Sequence, residues 1–121
     1  MTARSGDVPD SLSDPEQADR MFHALADRTR RDIVVRAARG DHSVSSLARH
    51  YPMTFAAVQR HVAVLERAGL VRKEPRGREQ LVRTEAVALR QAHELLDRLE
   101  VQWLERFDRF SQELHEHNED Q

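Results

Sequence analysis

From Glu85 to His117 the chain contains neither glycine nor proline. Within that run the apolar residues Leu89, Ala92, Leu96, Leu99, Trp103, Phe107, Phe110 and Leu114 recur in steps of three and four. One long helix, or two in succession, is the regular structure that gathers those side chains on one face, and the spacing is close to a heptad seam. A chain of 121 residues makes one domain, or one domain with a tail. Such a domain has one modest core, and some of the stripe is expected to cover it.

Ahead of the stripe the chain divides into short capped segments. The polar residues 1–13 read as a disordered tail. Asp14-Pro15-Glu16-Gln17 starts a first helix: Asp14 caps, Pro15 suits the first helical position, and Gln17 can close a capping box. It runs to about Ala26 with Met21, Phe22 and Leu25 on one face. Asp27 caps a second helix, Arg28 to Arg39, which Gly40 is expected to end as a left-handed cap. Ser45 is expected to cap a short third helix, Ser46 to His50, anchored by Leu47. Tyr51-Pro52-Met53 breaks it, because a residue before proline resists helical geometry. Thr54 caps a fourth helix, Phe55 to Ala68, with Val58, Val62 and Leu65 inward and Gly69 at its end. Leu70–Lys73 and Gln80–Arg83 are short strands around a turn, Glu74 to Glu79, centred on Pro75 and Gly77. Residues 14–117 form the domain, and 118–121 are expected to fray.

Charge is segregated along the chain. Residues 1–26 carry net −3, residues 27–84 net +7 and residues 85–121 net −6. A basic middle between acidic ends fits a unit that binds a polyanion and uses its ends for something else. No cysteine is present, which removes disulfides, thiolate zinc sites, iron–sulfur clusters and cysteine nucleophiles together. The start of the chain has no apolar h-region, and no run approaches a membrane span, so a cytoplasmic protein is expected. No nucleophile elbow, phosphate-binding glycine loop or His-Glu-x-x-His occurs, so no enzyme is expected.

A short helix, a four-residue break, a capped helix and a basic hairpin make a helix-turn-helix followed by a wing. The second helix of such a pair enters the DNA major groove by its N-terminal residues. With Val58, Val62 and Leu65 inward, Ala56, Ala57, Gln59 and Arg60 face outward beside Phe55. The alanines permit close approach, Gln59 can pair with adenine, and Arg60 can reach guanine or a phosphate. Arg76 and Arg78 flank Gly77 at the hairpin tip, within reach of a minor groove or phosphates. The candidate DNA-binding residues are therefore Ser45, Thr54, Phe55, Ala56, Ala57, Gln59, Arg60, His61, Arg76, Gly77 and Arg78.

Phe22-His23-Ala24-Leu25-Ala26-Asp27-Arg28-Thr29-Arg30-Arg31-Asp32-Ile33 resembles the opening signature of the ArsR family of winged-helix repressors. Ser43-Val44-Ser45-Ser46-Leu47-Ala48 and Val58-Gln59-Arg60-His61-Val62-Ala63-Val64-Leu65-Glu66-Arg67-Ala68-Gly69-Leu70-Val71 match that family's helix-turn-helix. The resemblance spans roughly residues 17–110. It implies a mostly α fold, a winged helix-turn-helix with a two-stranded β-hairpin wing and long C-terminal dimerisation helices. It also implies a homodimeric repressor of double-stranded DNA acting at an inverted-repeat operator and released by a signal. The dimer is expected to be held by Met21 and Phe22 on the first helix and by Leu96, Leu99, Trp103, Phe107 and Phe110.

The chain departs from the metal-sensing members. Where their soft-metal cysteines stand it has Ser43 and Ser45, which are poor ligands for such metals. The Asp-x-His pair of the zinc sensors is missing around His93, Glu94 and Asp97. No metal or other cofactor is expected, which leaves room for an unidentified small-molecule effector. Two readings compete: a metal-responsive repressor using His93, His115 and His117, and a protein-interaction dimer without DNA binding. The outward Arg60 and the arginine-tipped wing count against the second.

Overall fold

The computed structural model describes residues 14–119; the tail expected over 1–13 lies outside them, as do residues 120 and 121. The described chain runs α1 (Pro15–Leu25), α2 (Arg28–Arg39), α3 (Val44–Ala48), α4 (Phe55–Arg67), β1 (Val71–Arg76), β2 (Glu79–Thr84) and α5 (Ala86–Glu119). This is the expected winged helix-turn-helix, mostly helical, with one antiparallel hairpin.

Local capping sets most of the helix starts. Asp14 accepts from the Glu16 N–H and Asp27 from the Arg30 N–H, each at 3.0 Å. The capping box at Gln17 does not form. Gln17 instead donates from Nε2 to the Ala68 carbonyl at 3.1 Å, satisfying the end of α4 and tying α1 to it. The terminal carbonyls of α1 are met by two arginines. Arg30 donates to Ala24 and His23, and Arg31 donates to Leu25.

Between α2 and α3 the structure corrects two expectations. Gly40 is extended, at φ −162° and ψ 177°, and not a left-handed cap. From it the chain runs alongside β2, where Ser43 bridges Leu81 and the His42 carbonyl accepts from the Val82 N–H at 2.7 Å. That pairing holds Ser43 extended, the backbone an N-cap requires. Ser43 therefore caps α3, accepting from the Ser46 N–H at 3.1 Å, and the helix begins before the expected cap, Ser45.

The hairpin strands run further into the turn than expected, leaving Gly77 and Arg78 between them. Pro75 is tolerated because β1 is an edge strand. Gly77 at φ 61° and Gly69 at φ 76° are left-handed, which no side chain adopts without strain.

Met21, Ala24, Ile33, Val34, Leu47, Val58, Val62, Leu65, Leu70 and Val82 form the core. Met21, expected at a dimer contact, is wholly enclosed by its own protomer. A helical stripe identifies a covered face without saying which body covers it. Phe22 packs half-buried against the same core.

One helix of 34 residues, about 51 Å at 1.5 Å per residue, forms the C-terminal part. It continues to Glu119, into the segment expected to fray. Ala88 and Ala92 are buried, with Leu89 and Leu95 packed beside them. From Leu96 onward the stripe leaves the body, and Leu96, Leu99, Trp103, Phe107, Phe110 and Leu114 are all exposed. Leu89, Leu96, Trp103 and Phe110 keep the heptad spacing, and the successive steps of four from Leu99 through Trp103 to Phe107 insert one stutter into the seam.

Behind the helix-turn-helix, the Tyr51 hydroxyl donates to Asp32 Oδ2 at 2.6 Å, and Arg36 Nε donates to the same oxygen at 2.8 Å. These bonds, Tyr51 first, hold the Asp32 carboxyl below its ordinary value, and burial chiefly pushes the Tyr51 hydroxyl up to about 12. Tyr51→Phe is expected to cost about 1 kcal/mol at neutral pH, the low end for a bond to a charged group because Asp32 is partly solvated. Asp32 is depressed on folding, so its contribution is full above its unfolded pKa near 4 and fades as pH falls through the lower folded value. Urea midpoints of the two proteins should therefore differ at pH 7 and converge in acid.

Candidate nucleic-acid interface

Thr54 Oγ1 accepts from the Ala57 N–H at 3.0 Å and fixes where α4 begins. Val58, Val62 and Leu65 are wholly buried, which sets the rotation of the helix. Phe55, Ala56, Gln59 and Arg60 are consequently exposed on its first two turns, with Ala57 half-buried. His61 turns partly inward, its Nδ1 lying 3.3 Å from the Arg30 guanidinium. It belongs to the support of the helix as much as to its outer face.

A cleft separates this helix start from the wing. Ser43, Val44, Ser45, Phe55 and Gln59 line one wall, and Lys73, Arg78, Glu79 and Gln80 line the other. Ser45, displaced as a cap, is thus free to face the cleft. Lys73 and Gln80 were not legible as site residues. The signal lies in the strand pairing: Lys73 opposes Val82, and Gln80 opposes Pro75. Opposed residues share a face, so this face covers the core with Val71 and Val82 and then passes beyond it into the cleft.

The other hairpin face carries Arg72, Glu74, Arg76, Glu79, Leu81 and Arg83, and its arginines pair with Glu74 and with Asp41 and Glu85 beside the hairpin. Arg83 donates to Glu74 and to Asp41, each at 2.6 Å, and Arg72 donates to Glu85 at 2.9 Å. Arg76 donates to the second oxygen of Asp41. Arg83 first and Arg76 second hold the Asp41 carboxyl below its ordinary value. Arg76, expected to reach DNA beside Arg78, is therefore held by a carboxylate from the α2–α3 loop. Arg78 has no carboxylate partner among the described residues.

Among the described residues no three of His, Cys, Asp and Glu converge as a metal cluster would. Ser43, at one of the soft-metal positions, has its hydroxyl engaged in capping α3. His93 is exposed on α5. Among the described residues no helix is long and apolar enough to cross a membrane.

Residues 27–73 match the family model described as "Bacterial regulatory protein, arsR family". Over 87 residues the chain is 39% identical to the HTH-type transcriptional regulator Rv2034 of Mycobacterium tuberculosis, covering 72% of this chain and 81% of that one. An ArsR-like transcriptional regulator from Rhodococcus sp. RHA1 has a similar structure. The TM-score is 0.75 at 31% identity, over 83% of this chain and 94% of that one. The homodimeric winged helix-turn-helix DNA-binding domain of a Mycobacterium bovis protein matches at TM-score 0.59 and 25% identity. That match covers 83% of this chain and 91% of the domain.

Proposed function

This chain belongs to the ArsR family of bacterial transcriptional regulators, and from that premise we propose that it is a homodimeric repressor of double-stranded DNA, seated on an inverted repeat. The observation that carries the reading is the outward start of α4, two alanines flanked by Gln59 and Arg60, opening onto a cleft walled by the wing. A helix with small residues at its entry can lie deep in a major groove, and the wing then meets the flanking backbone.

In this reading Gln59 and Arg60 read base edges, and Ala56, Ala57 and Phe55 set the depth of entry. Thr54 and Ser45 lie at the phosphates beside the groove, and Lys73, Gln80 and Arg78, turned by Gly77, meet the backbone. His61 supports the helix from behind. Twofold symmetry sets the two recognition helices about one turn, ~34 Å, apart. The homodimeric domain from Mycobacterium bovis supports a twofold assembly, as does the uncovered stripe of α5.

Selection of bound fragments from genomic DNA supplies the operator, and variants then assign the roles. Arg60→Ala is expected to lose about ten- to a hundredfold of discrimination, the worth of one good base contact. Arg78→Ala should weaken operator and random duplex alike and reduce the log–log salt slope by roughly 0.9. Equal losses on both duplexes for Arg60→Ala would show that it touches only phosphate.

Release from DNA is metal-independent in this reading. The sequence supplies no thiolate, and Ser43 is engaged in its cap. Operator affinity measured with zinc, nickel, cobalt or copper, and again with chelator, should stay within tenfold. A larger change that vanished on replacing His93, His115 and His117 would restore the metal-responsive reading.

A further inference from the structure

The wing presents five cations, Arg72, Lys73, Arg76, Arg78 and Arg83, on two faces of unequal character. Lys73 lies on the face that passes into the cleft, and Arg78 lies at the turn. Arg72, Arg76 and Arg83 lie on the opposite face. DNA seated on the start of α4 meets the cleft side. The opposite face then looks away from the seated groove, toward whatever duplex approaches the protein in another orientation.

On that opposite face Asp41 accepts from two arginines at once, Arg76 on Oδ2 and Arg83 on Oδ1. These two arginines come from different strands, and the carboxylate comes from a third segment held beside β2 by the Ser43–Leu81 bridge. The pairs are partly exposed, with about half of the Asp41 side chain open to solvent. Exposed pairs of this kind add little to stability, so folding does not account for so specific a clamp. Its chemistry is that of a phosphate: two oxygens taking two guanidinium groups, of which Arg76 has no other carboxylate partner among the described residues.

We propose that Asp41 is a specificity-determining residue, a resident carboxylate that withholds Arg76, and together with Glu74 holds Arg83, away from nucleic-acid phosphates and so suppresses binding that does not use the recognition helix. Sequence-independent affinity is almost wholly a count of neutralised phosphates. A further free arginine on the far side of the wing would raise it for every duplex, and the seated operator complex would gain less because that residue faces away from it. The ratio of specific to non-specific binding is therefore protected by one acidic side chain outside the recognition helix.

This inference rests on the DNA-binding reading, and its test separates the two. Asp41→Asn keeps the shape of the side chain and removes its charge. Arg83 keeps its second partner, Glu74, so Arg76 is the arginine released. On random duplex the variant should bind roughly tenfold tighter at 0.1 M salt, with a salt slope steeper by roughly 0.9. Operator affinity should rise less, so discrimination falls. The double variant Asp41→Asn with Arg76→Ala should return most of the gain. Arg76→Ala alone should leave the random-duplex slope unchanged, since that arginine is already withheld. A slope that falls by about one in Arg76→Ala overturns the proposal even if Asp41→Asn folds poorly. Elution from immobilised heparin reads the same charge release with no operator. Asp41→Asn emerging later than the parent supports the proposal, and co-elution overturns it. A parent protein that binds no selected duplex would instead refute the DNA-binding reading, leaving the heparin comparison standing.

Discussion

A Trp103→Glu protein is expected to sediment as a folded monomer, and Phe107→Glu likewise. Trp103 is 63% exposed and Phe107 53% exposed in the protomer, so neither substitution removes a contact from the protomer's own core. Glutamate is a good helix former, and α5 should remain helical. A contiguous stripe of six large apolar side chains exceeds what soluble monomers normally leave open, and a second copy is the occupant the proposed twofold assembly supplies. A charge at its centre would be buried unpaired in the dimer, which costs several kcal/mol. The consequence for DNA is larger than for association. A monomer holds one half-site and loses the linked second event, worth 10²- to 10⁴-fold in apparent affinity. Sedimentation velocity beside far-ultraviolet circular dichroism checks this, and a dimer persisting in both variants would place the interface elsewhere.

Leu47→Ala should have the largest effect on the fold itself. Leu47 is fully buried, and it is the one residue of five-residue α3 that is. Leucine-to-alanine changes at such sites cost about 2–5 kcal/mol, including the cavity left behind. A domain of this size has about 5–15 kcal/mol in all. The loss is not shared evenly. A helix this short has no stability of its own, and its one inward anchor holds it against the core. Amide exchange in α3 should therefore quicken beyond what the global change predicts, and operator affinity should fall with it. A uniform change in exchange across the chain would show α3 held by its cap and the Ser43 bridge instead.

What could be read in advance was whatever a few neighbouring residues decide. Asp14, Asp27 and Thr54 cap because their side chains reach N–H groups two or three residues on. Gly69 ends α4 through its own backbone freedom. The choice between Ser43 and Ser45 was beyond reach because Leu81, far along the chain, makes it. Arg76 illustrates the same limit more sharply. Its place at a hairpin tip was legible, but the carboxylate holding it stands 35 positions earlier. Lys73 and Gln80 needed the strand register, which brief strands with a Pro between them do not declare. Met21 lies under its own protomer's core, and periodicity reports burial without naming its source. In α5 the seam residues and their spacing close to a heptad are legible, whereas the point at Leu96 where the protomer stops covering them is not.

The tether between Gln17 and the Ala68 carbonyl, with Arg30 bridging the end of α1 to His61, joins the first helix to the middle and the C-terminal end of α4. These bonds resist a swivel of the reading head within its own protomer, and in the proposed dimer two such heads would behave as a calliper. Adding one base pair between the half-sites moves the second by 3.4 Å and turns it by about a tenth of a revolution. A jointed reader would absorb that change. A calliper must bend the DNA or release one jaw, so the spacer, whose bases are never touched, becomes part of the recognised sequence.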